Sequence, residues 1–211
     1  MAALFRTQAR KGAGVQPVRL WDPVVRLAHW GIATVVLVNA VLTQGGSRLH
    51  VWAGWMGLAL LLLRLVWGLI GTTEARFSAF PPDPMAALRH LGGLARGRVA
   101  EHSSHNPAGA LMAYALWGTL AVLMATGLYM TGGLSPSQLD AQRAAVAAGD
   151  WSVMISDGPE DEGLGDVMEE VHEVAGNLIL FLVLLHVGGV VVESRALRRN
   201  LVKPMLLGPR E

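Results

Sequence analysis

Apolar positions gather into four long runs, separated by polar stretches of very unequal length. The runs extend from about Val24 to Thr43, His50 to Ile70, Ala108 to Met130 and Val171 to Val192. As helices, at ~1.5 Å per residue, each reaches across a hydrocarbon layer of ~30 Å. Glycine and aromatic residues are scattered through them, as is common in packed membrane helices. The first two runs are joined by the short turn Gln44-Gly45-Gly46-Ser47-Arg48. The second and third are joined through Phe80-Pro81-Pro82-Asp83-Pro84 and a short amphipathic stretch, Met85 to Leu94. The third and fourth are separated by a long loop, about 131–170, that is Ala-rich and then acidic. The pattern predicts an all-α integral membrane protein: a four-transmembrane-helix bundle over 24–193, with an N-terminal tail (1–23) and a C-terminal tail (194–211). No internal repeat is visible.

Composition agrees with a bilayer environment. Of 211 residues, 52% are hydrophobic and 16% charged, with a mean hydropathy of +0.41; a soluble domain carries about 25% charged residues. There is no cysteine, which excludes disulfides, iron–sulfur clusters, covalently attached c-type haem and Cys-based zinc sites. Any metal must be held by His, Met or carboxylates. The start of the chain is polar and basic, with Arg6, Arg10, Lys11 and Arg19. It has no apolar stretch followed by a small-residue cleavage site, so no cleavable secretory signal is expected.

Charge distribution predicts the orientation. With four spans, fourteen of the seventeen Lys and Arg fall on one side, in the two tails and the loop carrying Arg76, Arg89, Arg96 and Arg98. The other side has Arg48 and Arg143. The positive-inside rule then places both termini in the cytoplasm and the acidic loop outside, in a bacterial periplasm.

Of seven histidines, four lie in or at the ends of the apolar runs: His29, His50, His172 and His186. A single imidazole in a span is ordinarily an interhelical hydrogen-bonder facing the bundle interior. Here the spacing says more. His172 and His186 are 14 residues apart, which is ~21 Å along a helix and ~40° short of four full turns, so both lie on nearly one face. With alternating helix directions, His29 falls at the depth of His186 and His50 at the depth of His172. Two imidazoles at one depth on different helices can be axial ligands of one haem iron, and haem b needs no cysteine. Two depths make two haems, each bis-His. A zinc site would need three or four converging ligands, and these four cannot converge. A proton relay would more often recruit Asp or Glu within the spans.

Arg64 follows His50 by 14 residues and returns to about the same face at the depth of His29 and His186. A buried guanidinium requires an anion, and haem propionates are candidates; snorkelling towards the headgroups is the alternative. Arg26, one turn before His29, is a weaker candidate of the same kind. His90 lies in the loop. His102 and His105 flank the start of the third helix, with His105 able to hydrogen-bond a quinone or a propionate. Met and Trp at helical spacing read as packing or interfacial anchors.

These residues carry a family resemblance. Arg19-Leu-Trp-Asp-Pro-Val-Val-Arg-Leu-Ala-His29-Trp30 resembles the opening of the bacterial di-haem cytochrome b-561 family, which includes the b-type cytochrome subunit of membrane-bound nickel–iron hydrogenases. The likeness continues through His50-Val-Trp-Ala-Gly-Trp, Arg64-Leu-Val-Trp-Gly68, His105-Asn-Pro-Ala-Gly109, His172-Glu, His186-Val-Gly and Asn200-Leu-Val-Lys-Pro-Met205, spanning about residues 18 to 208. It implies a conduit in the inner membrane between a periplasmic redox protein, such as a hydrogenase or a c-type cytochrome, and the quinone pool. The long loop from Ser135 to Glu170 departs from the family pattern; its acidity could steer a basic donor. Membrane lipid and quinone are the other expected partners, nucleic acid is not, and a homodimer is left open. The competing reading is a haem-free helical anchor or small transporter whose histidines are structural.

Overall fold

The computed structural model describes residues 22–98, 105–154 and 163–207. Among them it is all-helical, and four helical segments are long and apolar enough to cross a membrane. The first is α1 (Pro23–Leu37), continued by one π turn over Val38–Leu42. It is followed by α2 (Arg48–Ile70), an amphipathic α3 (Pro84–Ala95), α4 (Pro107–Met130), α5 (Pro136–Ala147), α6 (Leu164–Ala196) and the short α7 (Val202–Leu207).

The starts of the spans are written in local chemistry. Asp22 caps α1 by accepting from the Val25 amide at 2.8 Å, and Pro23 has the fixed φ suited to the first helical position. The same carboxylate accepts from Trp67 Nε1 (2.8 Å) and Thr72 Oγ (2.7 Å), fastening the start of α1 to the end of α2. Ser47 caps α2 and Asn106 caps α4. The tight turn between α1 and α2 places Gly46 at φ +68°, where a side chain would be strained.

α1 lies along α2, α4 along α6, and α2 meets α4. α6 makes little close backbone approach to α1 or α2, although it shares an interior with them. The middle of the bundle is an apolar layer of Leu61, Leu120 and Ile179, packed by Ile32, Val36, Leu65, Leu116, Trp117, Leu123 and Met124. The outward faces are apolar too: Leu184 is 72% exposed and Leu69 69%. Such surface is stable in lipid rather than in water.

Both described chain ends lie at one end of the bundle, here called the terminal end. The α1–α2 turn and α5 lie at the opposite, loop end. Arg26 Nε donates to Met205 O (3.2 Å), Arg26 Nη2 to Leu206 O (2.5 Å) and Trp30 Nε1 to Met205 O (3.1 Å). These bonds lash α7, part of the expected tail, to α1.

The stretch 131–170 is not the plain loop expected from its composition. Ser135 and Gln138 form a reciprocal capping box with Pro136 at the first helical position, which starts α5. Across the bundle end, α5 is held by Arg48–Asp140 (2.9 Å) and by Arg143 Nη2 donating to Gly46 O (2.8 Å). α6 also begins earlier than the apolar run, at Leu164, so Asp166, Glu169 and Glu170 ride on a helix. At 33 residues it is ~50 Å long and overreaches the hydrocarbon layer.

Candidate cofactor site

Each of the four span histidines meets a counterpart on another helix. At the terminal end, His29 of α1 faces His186 of α6 with ring centroids 6.2 Å apart. At the loop end, His50 of α2 faces His172 of α6 at 6.0 Å. Both partners in α6 look across the space where that helix stands off from α1 and α2. With metal–imidazole bonds of about 2 Å, two rings facing one another through a single ion have centroids roughly 6 to 6.5 Å apart. Among the described residues, no three of His, Asp and Glu converge on one point. The donor sets are therefore pairs, as an axially ligated haem requires and a zinc site does not.

Hydrogen bonding at the loop end determines which ring nitrogen is offered. Thr126 Oγ is 2.8 Å from His172 Nδ1 and 2.8 Å from Val122 O. The carbonyl can only accept, so the hydroxyl proton goes to it and the threonine oxygen accepts Nδ1–H. Thr43 Oγ stands in the same relation to His50 Nδ1 (3.3 Å) and Asn39 O (3.1 Å). Both rings are thereby held as the tautomer whose Nε2 lone pair is free for a metal. Gly127 of α4 lies beside the His172 ring, where a Cβ would stand 3.4 Å from Cε1, in ordinary contact. At the terminal end, His29 Nδ1 is buried without a hydrogen-bond partner, and the His29 ring packs edge-on against Trp30 at 5.1 Å.

Arg64 is 3% exposed, so it does not snorkel. Its Nη2 donates to Ala75 O (3.2 Å), and its guanidinium carbon lies 4.7 Å from the Trp117 ring and 5.7 Å from that of Phe77. Nη1 is buried without a partner. Phe77 can approach α2 because residue 68 is glycine; a Cβ there would fall 2.2 Å from the Phe77 ring. His105 stacks on Phe80 at 4.4 Å. Burial, then the Arg64 guanidinium, push its pKa down to about 4, so it is neutral at pH 7. The structure turns Arg26 towards α7 rather than into the bundle. His102 lies outside the described residues.

Sequence reading alone missed several partners. Thr126 and Thr43 had no signal, since the Thr126–His172 contact joins positions 46 apart on separate helices. A cluster of His90, Asn106 and Glu193 at the terminal end was also missed. Its one visible sign is a carboxylate, Glu193, just beyond the last apolar run.

A bundle of four apolar spans with imidazoles paired across its interior defines a class: a helical membrane protein whose paired rings could hold a metal-centred cofactor between its helices. The family model described as prokaryotic cytochrome b561 matches residues 20–208, and the chain belongs to that family. It is accordingly a multi-pass bacterial membrane protein of b-type cytochrome character, with haem b as cofactor and electron transfer as its class of activity. No curated protein and no solved structure matches the chain.

Proposed function

We propose that the protein is a di-haem conduit passing electrons between a redox protein at the loop end and the quinone pool. His29 and His186 would hold one haem b, and His50 and His172 the other, the latter pair by Nε2. The observation that carries this reading is the pair of imidazole separations, 6.2 and 6.0 Å, at opposite ends of α6. When bound, haem b supplies a one-electron Fe(III)/Fe(II) couple. The chain would hold the ligands at fixed depth, select the tautomer of the loop-end pair, exclude water with the Leu61–Leu120–Ile179 layer, and set charge around each site. Arg64, with a buried donor to spare, is the counter-charge for a propionate at the terminal end; Arg26 is a second, more peripheral candidate.

The basic residues at the terminal end support a cytoplasmic location for both termini. The loop end would then face the periplasm and its redox partner, a c-type cytochrome or a hydrogenase-like enzyme. Two single variants, His172→Ala and His186→Ala, test the ligand assignment. Each is expected to remove about half of the b-type absorbance from the purified membrane protein, leaving the other haem six-coordinate. Full haem content in both variants would refute the pairs.

A further inference from the structure

We infer that Glu193 and His90 form the proton-transfer pair through which quinone at the terminal end exchanges protons with water. The inference rests on the quinone-linked reading above. Reducing a quinone to its quinol takes two electrons and two protons, with one O–H bond formed at each carbonyl oxygen. On that reading the electrons would come one at a time from the donor protein. The protons must come through side chains at the end where quinone reacts, and quinol oxidation runs the same path backwards.

Glu193 lies seven residues beyond His186 on α6. That is ~20° short of two turns and ~10 Å further towards the terminal end, on the same face. It is a carboxylate kept 9% exposed, and among the described residues no Lys or Arg is paired with it. The group facing it is an imidazole instead: His90 Nε2 of α3 lies 3.6 Å from Glu193 Oε1, just beyond direct hydrogen-bond distance, with the His90 side chain 8% exposed. A permanent cation would neutralise the carboxylate and hold it ionised. A carboxylate and an imidazole can each take up and release a proton, and a small side-chain movement or one bridging water carries it between them.

The amide beside them orients the pair. Asn106 Oδ1 is occupied as the cap of α4, accepting from the Gly109 amide at 2.7 Å, so Asn106 Nδ2 is the group that donates to Glu193 Oε2. That leaves Oε1 towards His90. Among the described residues, the groups set against Glu193 are His90 from α3 and the neutral Asn106 from α4, with Arg195 two residues on along its own helix.

The test uses the full-length protein in liposomes, reduced beforehand, with two oxidants compared. One is a short-chain benzoquinone, which takes up protons with its electrons. The other is ferricyanide, which takes electrons alone. Glu193→Gln preserves the hydrogen bond from Asn106, so a purely structural Glu193 tolerates it. Glu193→Gln is expected to slow reoxidation by the quinone roughly a hundredfold, flatten the pH dependence of that rate, and leave the ferricyanide rate and haem spectrum alone. His90→Gln, which disturbs no helix cap, is expected to act in the same direction. Quinone rates within about twofold of the parent in whichever of the two variants folds, or an equal slowing with both oxidants, would overturn the relay. Failure of the unaltered protein to react with the quinone would instead overturn the quinone-linked reading, and the relay with it.

Discussion

The Thr126 hydroxyl gives its proton to the Val122 carbonyl and accepts one from His172 Nδ1, each across 2.8 Å. One side chain on α4 therefore decides which nitrogen a histidine on α6 presents to the interior. Outer hydrogen bonds of this kind orient a ligand and raise its basicity, and their loss typically costs 10–100-fold in metal affinity. Thr126→Val keeps the shape and deletes the acceptor. On the proposed two-haem reading, reconstitution of the purified apoprotein is expected to show one haem binding about 10–100-fold more weakly, with the other unchanged. Equal affinity at both sites would mean that Thr126 acts only in packing.

Arg64 leads to a second expectation. A cation sealed at 3% exposure, with one buried nitrogen lacking a partner, is costly unless an anion accompanies it. Replacing it by Gln removes the charge but keeps an amide able to reach the Ala75 carbonyl. In a redox titration, the midpoint potential of the haem proposed at the terminal end is expected to fall, since a positive charge favours the more electron-rich state. The shift is about 60 mV if the charge is worth a factor of ten between the redox states. The loop-end haem should keep its potential. Unchanged potentials at both would assign Arg64 to the stacking on Trp117 and Phe77 alone.

The spans and the histidine depths were legible in the sequence because both follow from one-dimensional spacing. Hydropathy marks where a chain can cross a bilayer, and 14 residues between His172 and His186 necessarily place them on one face at two depths. What was not legible depends on contacts between separate helices. Thr126 looks like any threonine in a span, and only its position against His172 gives it a role. α5 was obscured differently: the acidic, Ala-rich composition of 131–170 reads as a solvated loop, while the Ser135–Gln138 capping box that starts a helix is a local signal. Arg26 shows the converse. Its position one turn from His29 suggests a propionate, while in the structure Nε and Nη2 donate to carbonyls at the end of α7, and nothing in the sequence places α7 beside it.

Gly68 is the point at which Phe77 folds back onto α2. A methyl group there would meet the Phe77 ring at 2.2 Å, closer than any real contact. The ring must then move, and with it one of the two aromatic faces against Arg64. Gly68→Ala is expected to destabilise the protein by about 1–3 kcal/mol, as overpacking does, despite the higher helix propensity of alanine. Thermal denaturation in detergent, followed by helical circular dichroism, measures it. A variant as stable as the parent would show that the 77–80 segment repacks freely.

Asp22 gives the pH dependence. Burial pushes its carboxyl pKa up, but hydrogen bonds from Trp67, the Val25 amide and Thr72 outweigh this and hold it below the ordinary value. A carboxyl depressed in the folded state contributes stability that is complete above its unfolded pKa of about 4 and is lost as pH falls through the folded value. The parent protein is therefore expected to lose thermal stability on acidification below about pH 4. Asp22→Asn keeps an oxygen for the Val25 amide but turns an N–H donor towards Trp67 and Thr72, which are donors themselves. It should cost on the order of 1–3 kcal/mol at neutral pH and show a shallower fall between pH 5 and pH 3. Melting curves of the two proteins across that range decide the matter: parallel acid profiles would mean that the acid sensitivity lies elsewhere and that Asp22 serves α1 only as a cap.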